Sequence, residues 1–193
     1  SMQLCIRLPD RPVGAFLPNT QAEAEWLSGY MSRPVDCVTS QVRAARNLNP
    51  DLSCRGCRMM ISNELLFRAL VRAILAAVKE RGIRKLSFLL PFVSECREVS
   101  YLKGIITGYA AADGIETTIG IEIATPRAAC IAGELAAQAD AMVFNVEELV
   151  QLLYGMSRFD TRKVISCYLH ENVFRHNPFV EFDEIGIGTL LMI

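Results

Sequence analysis

The sequence predicts an α/β chain built on a parallel sheet, and three observations carry that prediction. Residues 119–154 read IGIEIATPRAACIAGELAAQADAMVFNVEELVQLLY: an apolar run, a small-residue helix, a second apolar run and an acidic helix start, joined by short connections. That alternation is the pattern of parallel strands linked by crossover helices. Apolar residues make up 51% of the chain, a richness that suits strands buried on both faces. The length of 193 residues fits a single domain spanning residues 1–193. Ligands of such sheets bind at the carboxyl ends of the strands. Here those ends are residues 122–125 and 145–148.

Taken in order, residues 3–8 read as a short strand closed by Pro9-Asp10-Arg11-Pro12, too proline-rich for a sheet interior. Thr20 caps a helix over residues 21–31, with Glu23 completing a capping box. A second helix is expected over 39–48, ending before Asn49-Pro50. Residues 20–48 thus form a helical insertion between strands. Residues 55–61 (RGCRMMI) read as the next strand, followed by an amphipathic helix over 63–81 with Gly82 at its end. Residues 85–92 form a buried strand, and Ser94 caps a helix that Gly114 ends. A strand over 117–124 leads into Thr125-Pro126, an N-cap followed by an N1 proline. Residues 141–145 are a further strand and 146–154 a helix. Beyond Gly155 come a helical piece over 161–169, a loop around His176-Asn177-Pro178 and an apolar segment over 185–193. Five strands are expected in all.

Composition excludes several classes of function. A formal net charge of −1 with no basic block gives nothing to steer nucleic acid or an anionic membrane. No apolar run reaches the roughly 18 residues of a membrane span, and the first residues carry no signal-peptide pattern. Seven scattered cysteines point to free thiols in the cytoplasm or another reducing compartment. Cys54 and Cys57 stand at C-x-x-C spacing, but a metal site needs a second pair, and the only histidines are His170 and His176.

The chain resembles a known family. Ile6-Arg7-Leu8-Pro9-Asp10 through Phe16-Leu17-Pro18 resembles the arginine-bearing second strand, and the loop after it, of the phosphoenolpyruvate-binding barrel of pyruvate phosphate dikinase. Phosphoenolpyruvate synthase and enzyme I of the sugar phosphotransferase system share that barrel. Asn49-Pro50 with Arg55-Gly56-Cys57-Arg58 resembles its third strand, and residues 86–93 its fourth. Pro126-Arg127-Ala128-Ala129 resembles the helix start after the fifth. Residues 144–151, with Gly155, Ser157, Arg158 and Asp160, resemble the sixth strand and its loop. His176-Asn177-Pro178-Phe179 and Gly186-Ile187-Gly188 resemble the segment beyond. Several ordered motifs at matching spacing make the resemblance specific. It implies a (β/α) TIM-barrel type fold with parallel strands, incomplete here at about five of eight βα units. Whole barrels of this type take about 250 residues.

The resemblance also implies a chemistry. In the family, a phosphohistidine on a separate domain exchanges its phosphoryl group with pyruvate or phosphoenolpyruvate. The barrel supplies cations, a magnesium ion and an acid/base. Arg7, Arg55 and Arg158 match arginines of the family site. Each equally reads as a barrel-rim arginine held by a carboxylate. Asn145, Val146 and Glu147 replace the substrate-holding part of a G-T-N-D stretch, and Glu148 replaces its metal-binding aspartate. The family's other metal carboxylate falls at Ala124, with Glu122 two residues earlier on the same side of the strand. Glu147 and Glu148 equally read as acidic residues favoured at a helix start. No residue matches the family's catalytic cysteine or its phosphohistidine. The resemblance therefore implies phosphoenolpyruvate or pyruvate binding, with Mg2+ held by Glu122 and Glu148, by a chain that alone does not catalyse the transfer. The other implied role is a catalytically degenerate binding or dimerisation module. The partners expected are a second copy or the remainder of a longer dikinase, and neither nucleic acid nor membrane.

Overall fold

The computed structural model describes residues 4–11, 20–31, 49, 52, 54–158 and 161–192. Within them β1 (Leu4–Arg7), β2 (Lys85–Leu90), β3 (Glu116–Ile123) and β4 (Ala141–Phe144) form one sheet in the order β1-β2-β3-β4. All three pairings are parallel: Leu4 lies opposite Leu86, Phe88 opposite Ile119 and Ile121 opposite Met142. Spatial order follows chain order without reversal. That is the winding of a (β/α) barrel rather than of a doubly wound sheet, whose order reverses at a switch point. The sheet is not closed. Among the described residues β1 and β4 each have a strand on one side only.

The helices are α1 (Gln21–Met31), α2 (Gly56–Ser62), α3 (Glu64–Glu80), α4 (Cys96–Ala112), α5 (Pro126–Cys130), α6 (Ala132–Ala136), α7 (Val146–Tyr154), α8 (Thr161–His170) and α9 (Gly186–Met192). α3 and α4 lay Val71, Leu75, Val99, Leu102 and Ile106 against Phe88, Leu90, Ile119, Ile121 and Ile123 of the sheet, all fully buried. A smaller cluster of Leu149, Val150 and Ile187 docks α9 on α7. No helix among the described residues is long and apolar enough to cross a membrane.

The expected helix starts are present. Thr20 and Glu23 exchange the two bonds of a capping box (3.2 and 3.1 Å). The Thr125 hydroxyl accepts from the Ala128 N–H at 3.1 Å and donates to the Val93 carbonyl at 3.2 Å, with Pro126 at the first helical position. Asn145 caps α7 through the Glu148 N–H (3.2 Å), and Gly155 ends that helix at φ 62°. At α4 the cap falls one residue later than expected. Glu95 is the capping residue, and Glu98 reaches back to the N–H groups of both Ser94 and Glu95.

One expected element is different. The R-G-C-R run is no strand; it opens helix α2, so the described residues hold four strands and not five. The cause is local. Gly56 takes φ +54°, a left-handed turn that glycine makes at little cost. The Cys57 N–H then bonds to the Pro91 carbonyl just past β2. Met59 and Met60 point their apolar side chains inward from a helix instead of a strand. Phe16-Leu17-Pro18, Pro50, Asp160, and the helix expected over 39–48 with its share of the 20–48 insertion, lie outside the described residues.

Candidate functional site

The carboxyl ends of the strands and the turns beyond them place three arginines and four carboxylates in one chain of ion pairs. Arg7 closes β1, and its guanidinium donates to Glu122 Oε2 (Nε, 2.8 Å) and Oε1 (Nη2, 3.1 Å) near the end of β3. The same Nη2 donates to Asp10 at 3.0 Å. Asp10 in turn accepts from Arg55 Nε (3.0 Å) and Nη2 (2.6 Å). Arg55, at the start of α2, donates on its far side to Glu148 Oε1 at 3.1 Å. Arg158 completes the series, giving one bond to Glu148 (2.9 Å) and one to Glu147 (3.0 Å). Asn145 closes it into a ring, donating to Glu122 while its own oxygen accepts from the Glu148 N–H.

Burial divides these residues into two classes. The side chains of Asp10, Glu122, Glu148 and Arg55 are almost wholly enclosed, while those of Arg7 and Arg158 remain 44% and 32% exposed. Hydrogen bonding to Glu122 holds the Arg7 pKa above its ordinary value, against the opposing effect of burial. Burial alone would lower that of Arg55; its bonds to Asp10 and Glu148 outweigh burial and raise it. Arg55 also lies 4.6 Å from the centre of the Phe92 ring, and Arg58 lies 5.1 Å from the same ring, a cation–π arrangement. Phe92 reaches that position through a left-handed backbone, φ 57°. Such strain in a non-glycine residue concentrates at functional sites.

Of the candidate binding and metal residues Arg7, Arg55, Arg158, Asn145, Val146, Glu147, Glu122 and Glu148, all except Val146 enter this ring. Val146 is a partly exposed apolar residue on the first turn of α7. Sequence reasoning missed Asp10, Phe92 and Gln151. Gln151 is buried beside Glu148, donating to it at 3.3 Å and accepting from the Arg158 N–H at 3.1 Å. The one available signal was spacing, since Asp10 follows Arg7 by three residues across a proline turn. His170 pairs with Glu171 and His176 with Glu181, outside the ring. Burial, with Glu98, Asp10 and Glu122 nearby, pushes the Cys57 thiol well above its ordinary pKa. It is no nucleophile.

The chain matches the family described as PEP-utilising enzyme, PEP-binding domain, over residues 2–180. It belongs to that family. The chain is 33% identical to a pyruvate, phosphate dikinase of Rickettsia bellii and 32% identical to one of Rickettsia conorii, each over 97% of this chain. It is 32% identical to a chloroplastic pyruvate, phosphate dikinase of Flaveria pringlei over 98% of this chain. The chain spans about a quarter or less of these relatives, 23%, 23% and 21% of their length respectively.

The ring does not fit a divalent cation as it stands. Glu148 Oε1 accepts from Arg55 and Arg158, and Oε2 from Arg55 (3.4 Å) and Gln151. Both oxygens of Glu122 are likewise engaged by Arg7, one of them also by Asn145. Among the described residues no three of His, Cys, Asp and Glu converge on one point. Magnesium needs carboxylate oxygens with free lone pairs, and guanidinium groups occupy these.

Proposed function

We propose that this PEP-binding domain is the phosphoenolpyruvate- or pyruvate-capturing unit of a pyruvate phosphate dikinase-like phosphotransferase. The observation that carries the reading is the convergence of Arg7, Arg55 and Arg158 at the strand ends, with the side chains of Arg7 and Arg158 partly open to solvent. Arg7 and Arg158 take the anionic groups of the substrate, because a planar guanidinium pairs with phosphate or carboxylate oxygens in two places at once. Arg55, enclosed and stacked on Phe92, holds the array. Asn145 and Glu147 border the open side. The transferred phosphoryl group comes from a histidine elsewhere, since neither His170 nor His176 reaches the ring.

The ring's carboxylates are all paired with guanidinium groups, and this chain alone is proposed not to turn over. Magnesium, with Glu122 and Glu148 as its implied ligands, has to compete with three arginines. The proposed work of this chain's own residues is therefore anion capture. The six free cysteines of the described residues suit the cytoplasm or another reducing compartment.

Calorimetric titration of phosphoenolpyruvate into the chain tests the reading. Saturable binding, weakened about tenfold or more in Arg7→Ala and in Arg158→Ala, is the expected result. Absence of heat at any concentration, or equal affinity in the variants, overturns it. A second reading, a dimerisation module derived from the same domain, is favoured by the β4 edge, which has no partner strand among the described residues and where Met142 and Val143 are exposed.

A further inference from the structure

Resting on the reading of the strand-end arginines as an anion site, we infer that Arg58, which lies outside the ring, is a further anion-binding residue and sets the preference of the site for phosphate-bearing ligands. Each arginine of the ring is already answered by carboxylates of the protein: Arg7 by Asp10 and Glu122, Arg55 by Asp10 and Glu148, Arg158 by Glu147 and Glu148. A doubly charged ligand is held best by positive charge that the protein has not itself matched. Arg58 supplies it. Its guanidinium gives one hydrogen bond, to the uncharged Ser94 hydroxyl at 3.2 Å, and forms no ion pair among the described residues. Glu98 serves the same serine differently, accepting from the N–H groups of Ser94 (2.6 Å) and Glu95 (3.0 Å).

Two contacts hold this charge beside the ring. Ser94 lies past the end of β2, so its bond fixes the Arg58 guanidinium at the carboxyl end of the sheet, the end that carries the ring. Phe92 does the rest. The centre of its ring is 5.1 Å from the Arg58 guanidinium carbon and 4.6 Å from that of Arg55, and the negative faces of an aromatic ring draw cations. The two arginines reach one ring because the R-G-C-R run is helical. Residues three apart face opposite sides of a strand but the same side of a helix. Arg58 is half-buried, so salt screens its charge less than that of a surface arginine. Arg7 and Arg158 orient the ligand through their open sides, and Arg58 answers the second negative charge of a phosphate group. Pyruvate, with a single negative charge, gains less from it.

The test replaces Arg58 with glutamine, which keeps an N–H donor and removes the charge, and with lysine, which keeps the charge. Inorganic phosphate, phosphoenolpyruvate and pyruvate are titrated separately into the wild-type chain, Arg58→Gln, Arg58→Lys and Arg7→Ala. Circular dichroism and thermal melting confirm that each variant folds. The expected result is at least about tenfold weaker phosphate and phosphoenolpyruvate binding in Arg58→Gln. Pyruvate changes less, and Arg58→Lys keeps the wild-type ratio of phosphate to pyruvate affinity. A merely structural role would weaken all three ligands together, so that ratio is the deciding readout, and an unchanged ratio in Arg58→Gln overturns the inference. Where Arg58→Gln does not fold, Arg58→Met, which keeps the stem against Phe92, takes its place with the same expectations. If Arg7→Ala loses phosphoenolpyruvate while Arg58→Gln binds it like the wild type, the role of Arg58 falls and the function proposed above stands. If none of the three ligands binds the wild-type chain, both fall.

Discussion

A methyl group added at Gly56 would stand 2.6 Å from the Phe92 Cβ and 2.7 Å from the Pro91 carbonyl oxygen, at a backbone φ of +54°. Both partners lie just past β2, and Phe92 stacks against Arg55, so neither can yield without moving the site. Gly56→Ala should therefore lose about 2 kcal/mol or more, the left-handed penalty plus the clash. Gly133→Ala, with nothing within 4 Å of its added Cβ, should be neutral or slightly stabilising. Urea denaturation of the two variants makes the comparison, and an equal effect would refute the steric account. The site's arginines were legible one at a time, each from its place at a strand end or in a matched motif. Their pairings were not. Whether Arg55 meets a ligand or a carboxylate depends on where Asp10 and Glu148 lie after folding, and both reach it from distant segments.

At the scale of elements, Thr125 ties three of them together. Its hydroxyl caps α5 and bonds to the Val93 carbonyl past β2, and the residue itself sits two positions past the end of β3. Thr125→Ala removes a cap and a buried hydrogen bond, for an expected loss of about 2 kcal/mol. Thr125→Ser keeps the hydroxyl and should lose less than half of that. Thermal unfolding distinguishes the two, and equal losses would mean the γ-methyl rather than the hydroxyl matters. Strong local chemistry made such elements readable: the capping box at Thr20, the threonine–proline start at Pro126, and the long amphipathic faces of α3 and α4. The R-G-C-R run failed for a physical reason. Cys57, Met59, Met60 and Ile61 form a short apolar stretch that satisfies a strand or a helix equally. A tertiary bond, Cys57 N–H to Pro91 carbonyl, decides for the helix.

At the scale of the whole molecule, the described residues form an open arc of a barrel with apolar side chains along its rim. Met142 and Val143 of β4 and Val146 and Leu153 of α7 are all exposed, beside a strand edge with no partner among the described residues. An exposed apolar edge recruits another strand. Sedimentation should show this chain self-associating as its concentration rises, and Val143→Lys shifting it toward monomer. A strict monomer at every concentration would remove the dimerisation reading and leave ligand capture untouched. The ring of ion pairs carries a consequence in time as well as in space. Arg7 and Glu122 are separated by 115 residues of chain, and Arg55 and Glu148 by 93. Closing contacts of such long range costs loop entropy before they are rewarded, which slows folding. While β1 or β3 is still unplaced, the chain holds isolated charges in water and no anion site at all. A ligand that recognises only the closed ring binds the folded chain and not the unfolded one, so it holds the chain in its fold by mass action.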